Sequence, residues 1–193
     1  HRHELKNAVY KTMGDIAITL YVHAGTLKNG ITYLKVRSEY LEAWGLEKDD
    51  VLHEALLNSY RILPPRIYDF KKMMYTPGYA GEDFLNMDPY FISDKKKKEG
   101  ICLSVKGLSN GAVAVLYPGV IKKLVEFMDG GFYVVFSSVH EALIYSSKLC
   151  SLEELENLLR TSNARMTFQK EFLTDKVYYY CKEEDKFIML RGS

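Results

Sequence analysis

Ser137, Ser138, His140 and Glu141 stand within one short stretch and are of the types that nucleophilic catalysis uses. A hydroxyl attacks, an imidazole takes its proton, and a carboxylate orients the imidazole. The spacing constrains this chemistry. In an extended segment His140 and Glu141 project to opposite faces, so Glu141 would not orient the ring. Ser138 and His140 would share a face, but parallel side chains two residues apart seldom meet at hydrogen-bond distance. A catalytic site built on Ser138 (or Ser137), His140 and Glu141 therefore requires a turn. The plainer reading has the two serines bonding loop backbone groups and His140 capping or packing.

The other chemistry-bearing residues are scattered. His23 follows a strand and His53 lies in a helix, and neither has a ligand-like neighbour in sequence. His1 and His3 alternate at a terminus, which reads as a frayed end. Cys102, Cys150 and Cys181 are odd in number, far apart and form no CxxC. They make no disulfide framework, and Cys102 and Cys181 fall in apolar, strand-like stretches where a thiol acts as a small hydrophobe. That usage fits a reducing compartment. No P-loop, GxGxxG, HExxH, GxSxG or EF-hand loop is present, which removes the best-marked enzyme classes. No cofactor and no metal is expected.

Charge narrows the partners. The 193 residues carry 26 Lys/Arg and 25 Asp/Glu, and 47% are apolar, the profile of an ordinary globular chain. The balance is local as well: 15 basic against 13 acidic residues in 1–98 give +2, and 11 against 12 in 99–193 give −1. Neither half has the basic excess that a phosphate backbone calls for, so no nucleic acid is expected as partner. The one basic run, Lys95 to Lys98 between Asp94 and Glu99, reads as a solvated loop, with contact to an anionic surface as its functional version. The longest apolar run, Ala112 to Tyr117, is too short to span a bilayer, and no signal-peptide pattern is seen. No membrane association and a cytoplasmic location are expected. The chain begins at His1, which leads us to expect some further native chain before it.

The elements that must position these residues follow from patterning. Residues 4–13 read as a short helix broken by Gly14-Asp15. Ile16 to Val22 and Ile31 to Val36 read as a hairpin. Ser38 reads as the cap of a helix that Gly45 closes, with Trp44 as a core anchor at the corner. Val51, Leu52, Ala55, Leu56 and Ser59 mark the next helix, which Pro64-Pro65 stops. Residues 66–99, crowded with Tyr68, Phe70, Tyr75, Tyr79, Phe84, Tyr90 and Phe91, read as an irregular, partly packed excursion. Beyond it, Ile101 to Val105 and Ala112 to Tyr117 read as strands. Pro118 opens a helix through Met128, and Phe132 to Phe136 and Glu141 to Tyr145 are strands. Ser151 and Glu154 form a capping box for a helix carrying Leu152, Leu155, Leu158 and Leu159. A short helix is placed near Phe168 to Leu173, then a closing hairpin of Val177 to Cys181 with Phe187 to Leu190. Tyr117, Tyr133, Tyr145 and Tyr178 to Tyr180 enrich these strands, an amphipathic sheet rather than a base-stacking platform, because no basic residues interleave them.

The expected fold is α+β: an antiparallel-rich sheet with helices packed on one face, the C-terminal half ordered ββαββααββ. It reads as one domain with two lobes, a helix-hairpin-helix-helix lobe over 1–65 and the ordered lobe over 100–193, joined by 66–99.

Several stretches taken together carry a family resemblance. They are Ser38 to Gly45 followed by Ala55, Asn58 and Pro64; Gly111-Ala112 leading to Leu116-Tyr117-Pro118; Phe132 to Glu141; Asn163; and Thr174 to Tyr180. In this order they resemble an uncharacterised bacterial domain-of-unknown-function family, number 5688, of gut-type Gram-positive bacteria, from about Asp15 to Tyr180. The family pattern has Asn where Ser38 stands, Pro where Phe136 stands, and more chain before Asp15. Phe136 makes the approach to Ser137 less rigid than Pro would. The resemblance implies an intracellular, compact protein and no particular reaction. The leading reading is a non-enzymatic binding or regulatory protein with an unknown protein or small-molecule partner, contacted through an apolar–aromatic patch within 66–99. The alternative is a hydrolase-like enzyme using Ser137 or Ser138, His140 and Glu141.

Overall fold

The structure is a computed structural model that describes residues 5–27, 30–165 and 169–190. His1, His3 and Phe168 lie outside the described residues. The chain divides into two units, 1–58 and 59–193.

In the first unit, strands β1 (Tyr10–Met13) and β2 (Ile16–Thr19) pair antiparallel. The helix expected over 4–13 is therefore corrected. Gly14 has φ of 57°, so Gly14-Asp15 is the two-residue turn of a tight hairpin and not a helix break. The single strand expected from Ile16 to Val22 divides at buried Leu20. Beyond it, β3 (Tyr21–Leu27) pairs with β4 (Gly30–Lys35) in a separate two-stranded sheet. Helix α1 (Ser38–Trp44) starts without a side-chain cap, since Arg37 occupies the cap position, and Gly45 closes it in the left-handed conformation. Trp44 is exposed, not the core anchor expected. The core of this unit gathers Val9, Leu20, Val36 and Leu41 with Leu52 of α2 (Lys48–Ile62).

The second unit is built on a seven-stranded antiparallel sheet. Its strands are β5 (Pro65–Tyr68), β6 (Glu82–Asp83), β7 (Ile101–Val105), β8 (Phe132–Val135), β9 (Ala142–Ser146), β10 (Tyr178–Cys181) and β11 (Lys186–Met189). Their order is β11-β10-β8-β9-β7-β5-β6, which makes the protein α+β as read. Among the described residues four α-helices accompany it: α3 (Phe70–Tyr75), α4 (Asp94–Glu99), α5 (Val120–Met128) and α6 (Leu152–Arg165).

One expected strand is absent. Residues Gly111–Leu116 form a buried 3₁₀ segment. The reason is topological: β7 already has β5 on one edge and β9 on the other, so no edge remains for a hairpin partner. β7 is buried at all five positions, and successive side chains alternate, so both faces are covered there. Leu155 and Leu159 of α6 cover Val135 and Tyr145 on one face. The opposite parity, Phe132, Val134, Ala142 and Ile144, is fully buried too. The apolar side of α5, with Val120, Leu124, Phe127 and Met128, is buried outside that α6 cluster.

Tyr145, Tyr178 and Tyr180 are core, and Tyr133 and Tyr179 are half-buried. Tyr180 stacks on Phe132 at 5.1 Å, Tyr178 meets Phe136 edge-on at 5.5 Å, and burial pushes the Tyr145 phenol up to about 12. Tyr145 also fixes a neighbour. A Cβ at Gly100 would lie 2.6 Å from its ring, and Gly100 itself has φ of 97°.

Candidate functional site

The stretch that carries Ser137 to Glu141 is the connection from β8 to β9, and it is tied at nearly every residue. Ser137 Oγ donates to Glu141 Oε1 at 2.6 Å, closing the loop on itself. The His140 amide donates to Ser138 Oγ at 3.0 Å, and Ser104 Oγ donates to the His140 carbonyl at 2.6 Å. The Val139 amide donates to the Glu171 carbonyl, and the Val139 carbonyl accepts from the Ala112 amide. The required turn is present.

The imidazole nitrogens are paired with residues other than the two serines. Its Nδ1 accepts the Asn110 amide at 3.1 Å, and its Nε2 lies 3.6 Å from Glu171 Oε1. An Nδ1 that accepts is unprotonated, so the ring proton sits on Nε2, toward the carboxylate. Ser138, His140 and Glu141 thus share one loop, but Ser138 bonds a backbone amide, and Glu141 holds Ser137. The ring's carboxylate partner is Glu171, from the 3₁₀ turn Gln169–Glu171. Neither Asn110 nor Glu171 stands out in the sequence as a site residue. Asn110 lies 30 residues from His140, and nothing local marks the pairing.

Asn110 belongs to a conformationally unusual turn. Leu108 has φ of 58° and Asn110 φ of 53°. Asparagine tolerates this region, whereas a leucine there costs about 1–2 kcal/mol. Leu108 forms part of the wall of a cavity of about 310 Å³, with Met73, Met74 and Tyr75 of α3 and the following turn 76–79 as the rest.

Helix α3 is anchored by polar groups at its start. Asp69 accepts the amides of Lys71 and Lys72 at 2.9 and 3.1 Å and pairs with Lys96 of α4 at 3.2 Å. These partners, the Lys72 amide first, hold the Asp69 carboxyl below its ordinary value. Lys72 pairs with Glu82 at 2.9 Å and lies over the Tyr79 ring. No residue of α3 is buried. Phe70 is 54% exposed, Met74 73% and Tyr75 77%, beside Tyr90 at 96%. Of the aromatics that crowd 66–99, Phe84 is wholly buried against Phe127, and Tyr79 is half-buried. The Phe91 side chain lies outside the described residues.

Lys95 to Lys98 are helical rather than a loop. Ser93 caps α4 through the Lys96 amide, and Lys95 and Lys97 pair with Glu99 and Asp94 within the helix. Among the described residues no group of three or more His, Cys, Asp or Glu is placed to hold a metal ion, and no helix is long and apolar enough to cross a membrane.

No curated protein and no solved structure matches the chain. A family match covers residues 1–182, longer at its start than the stretch that carried the resemblance, and ends before β11. By that match the chain belongs to the family of unknown function DUF5688.

Proposed function

We propose that this protein is a non-enzymatic binding protein of the cytoplasm that docks apolar side chains of a protein partner on α3 and the cavity beside it. One observation carries the reading: a helix anchored by polar contacts at its start, with every residue exposed and four of its six residues large and apolar. A monomer gains nothing from presenting Phe70, Met73, Met74 and Tyr75 to water, and such a patch is the usual mark of a contact surface. Methionines suit it, because their unbranched chains adapt to a partner's shape. The Ser137–Glu141 loop, by contrast, has its hydroxyls and His140 Nδ1 bonded to partners that do not form a nucleophile–base pair.

The test is a double substitution, Met74→Ser with Tyr75→Ser. Both side chains are exposed, so stability should stay within about 0.5 kcal/mol of wild type. A partner isolated with the wild type and then purified should bind the double variant roughly tenfold or more weakly, the loss expected on removing an interface anchor. Equal affinity for both proteins would overturn the placement.

A further inference from the structure

We propose that His140 is a positioning residue for the α3 cavity: its neutral ring pins the turn that carries Leu108 into the cavity wall, and protonation of the ring releases that turn. The proposal rests on the docking reading for its purpose, while its geometry stands independently.

The cavity wall comes from two segments. Met73 to Tyr79 supply one side, and Leu108 enters from the turn after β7. A leucine does not hold a left-handed backbone unaided, so something must fasten this turn at both ends. At the near end the Leu108 amide donates to the Val105 carbonyl at 3.1 Å. At the far end the Asn110 amide donates to His140 Nδ1 at 3.1 Å. The second fastening is conditional. Nδ1 accepts only while it carries no proton. Once the ring gains a proton there, two N–H groups face each other and the bond is lost. The same event strengthens the other contact, because a cationic ring is drawn to Glu171 Oε1, now 3.6 Å from Nε2. One protonation therefore loosens the Asn110 side and tightens the Glu171 side.

The charged surroundings support this direction. The carboxylate facing the ring is Glu171, from the 3₁₀ turn. Glu141, next in the chain, is engaged by the Ser137 hydroxyl. Ser104 of β7 contributes a hydroxyl, bonded to the His140 carbonyl. The turn itself carries Lys106 at its start, with an exposed side chain, and no charged residue from Gly107 to Gly111. The ring is 31% exposed, so protons reach it from solvent. Freed of its far fastening, the turn can leave the left-handed region and withdraw Leu108 from Met73 and Met74.

The experiment uses the full chain with ¹³C-labelled methionine methyls, assigned by single Met→Leu variants and followed across whatever pH interval moves the His140 ring protons. The methyl signals of Met73 and Met74 should shift along the curve traced by the His140 ring protons, while buried Met128 stays fixed and reports an intact fold. His140→Asn places a pH-insensitive acceptor near the position of Nδ1 and should hold both signals at their high-pH positions. His140→Gln reaches the position of Nε2 instead and should hold them at their low-pH positions. Flat Met73 and Met74 signals in the wild type, or a titration that persists in both variants, would overturn the proposal, and the wild-type curve decides the matter if a variant fails to fold. The outcome is separate from the docking reading, which stands or falls on partner affinity in the Met74/Tyr75 double variant.

Discussion

Single residues illustrate what a local pattern can and cannot convey. Ser151 and Glu154 were legible because their bonds close within one turn of chain. The Ser151 amide donates to Glu154 Oε2 at 3.0 Å, and the Glu154 amide donates to Ser151 Oγ at 3.3 Å. Ser151→Ala should lower the stability of the second unit by about 1 kcal/mol, read as a shift of the urea midpoint with unchanged slope. An unaltered midpoint would place the start of α6 elsewhere. His140 shows the reverse case. Its types and neighbours suggested a Ser–His–Glu relay, but its ring partners, Asn110 and Glu171, come from segments far along the chain. No spacing rule connects residues that only the sheet brings together.

At the scale of elements, periodicity was informative where it was strict. Helix α5 follows from Val120, Leu124 and Met128, and the closing hairpin from its alternation. The run Ala112 to Leu116 has no period, and such runs do not distinguish a strand from a buried helical turn. Only the occupied edges of β7 decide it. Residues 10–13 are a related case: four residues too short to show a period form a strand because β2 pairs with them. Within 66–99 the crowd of aromatics flagged a surface, but pattern alone did not separate inward Phe84 from outward Tyr75.

Helix α3 also has a pH dependence of its own. Six residues do not form a stable helix without help, so its cap matters. Asp69 is held below its ordinary value of 3.8 by the Lys72 amide, Lys96 and the Lys71 amide. A carboxyl depressed in the folded state stabilises fully above its unfolded value, and that contribution disappears as pH falls through the folded one. The amide protons of Lys71 and Lys72 should therefore keep their positions down to about pH 4 and move upfield below it, as the carboxylate protonates. In Asp69→Asn, whose side-chain oxygen accepts at every pH, they should stay put. Movement in both proteins would assign the change to another group.

For the molecule as a whole, the central strands are the part least able to open separately. Cys102 lies in β7, is 3% exposed, and burial pushes its thiol up to about 12. The thiolate is the reactive form, so Cys102 is doubly protected at neutral pH. Cys150 and Cys181 are half-exposed. A soluble thiol reagent should modify these two in the native protein and Cys102 only on unfolding, at a rate that follows opening of the second unit as urea is raised. Fast native-state labelling of Cys102 would mean that β5 and β9 leave β7 far more often than their pairing implies.

The contact of Gly100 with the Tyr145 ring reaches beyond this one chain. Wherever the family retains this packing, the two positions cannot vary independently. A side chain at 100 must find the space that the phenol occupies, so a larger residue there calls for a much smaller one at 145, together with a backbone that no longer needs a left-handed turn. Aligned family members should record that exchange as paired substitutions, and a member with bulk at both positions would have to join α4 to β7 along a different path.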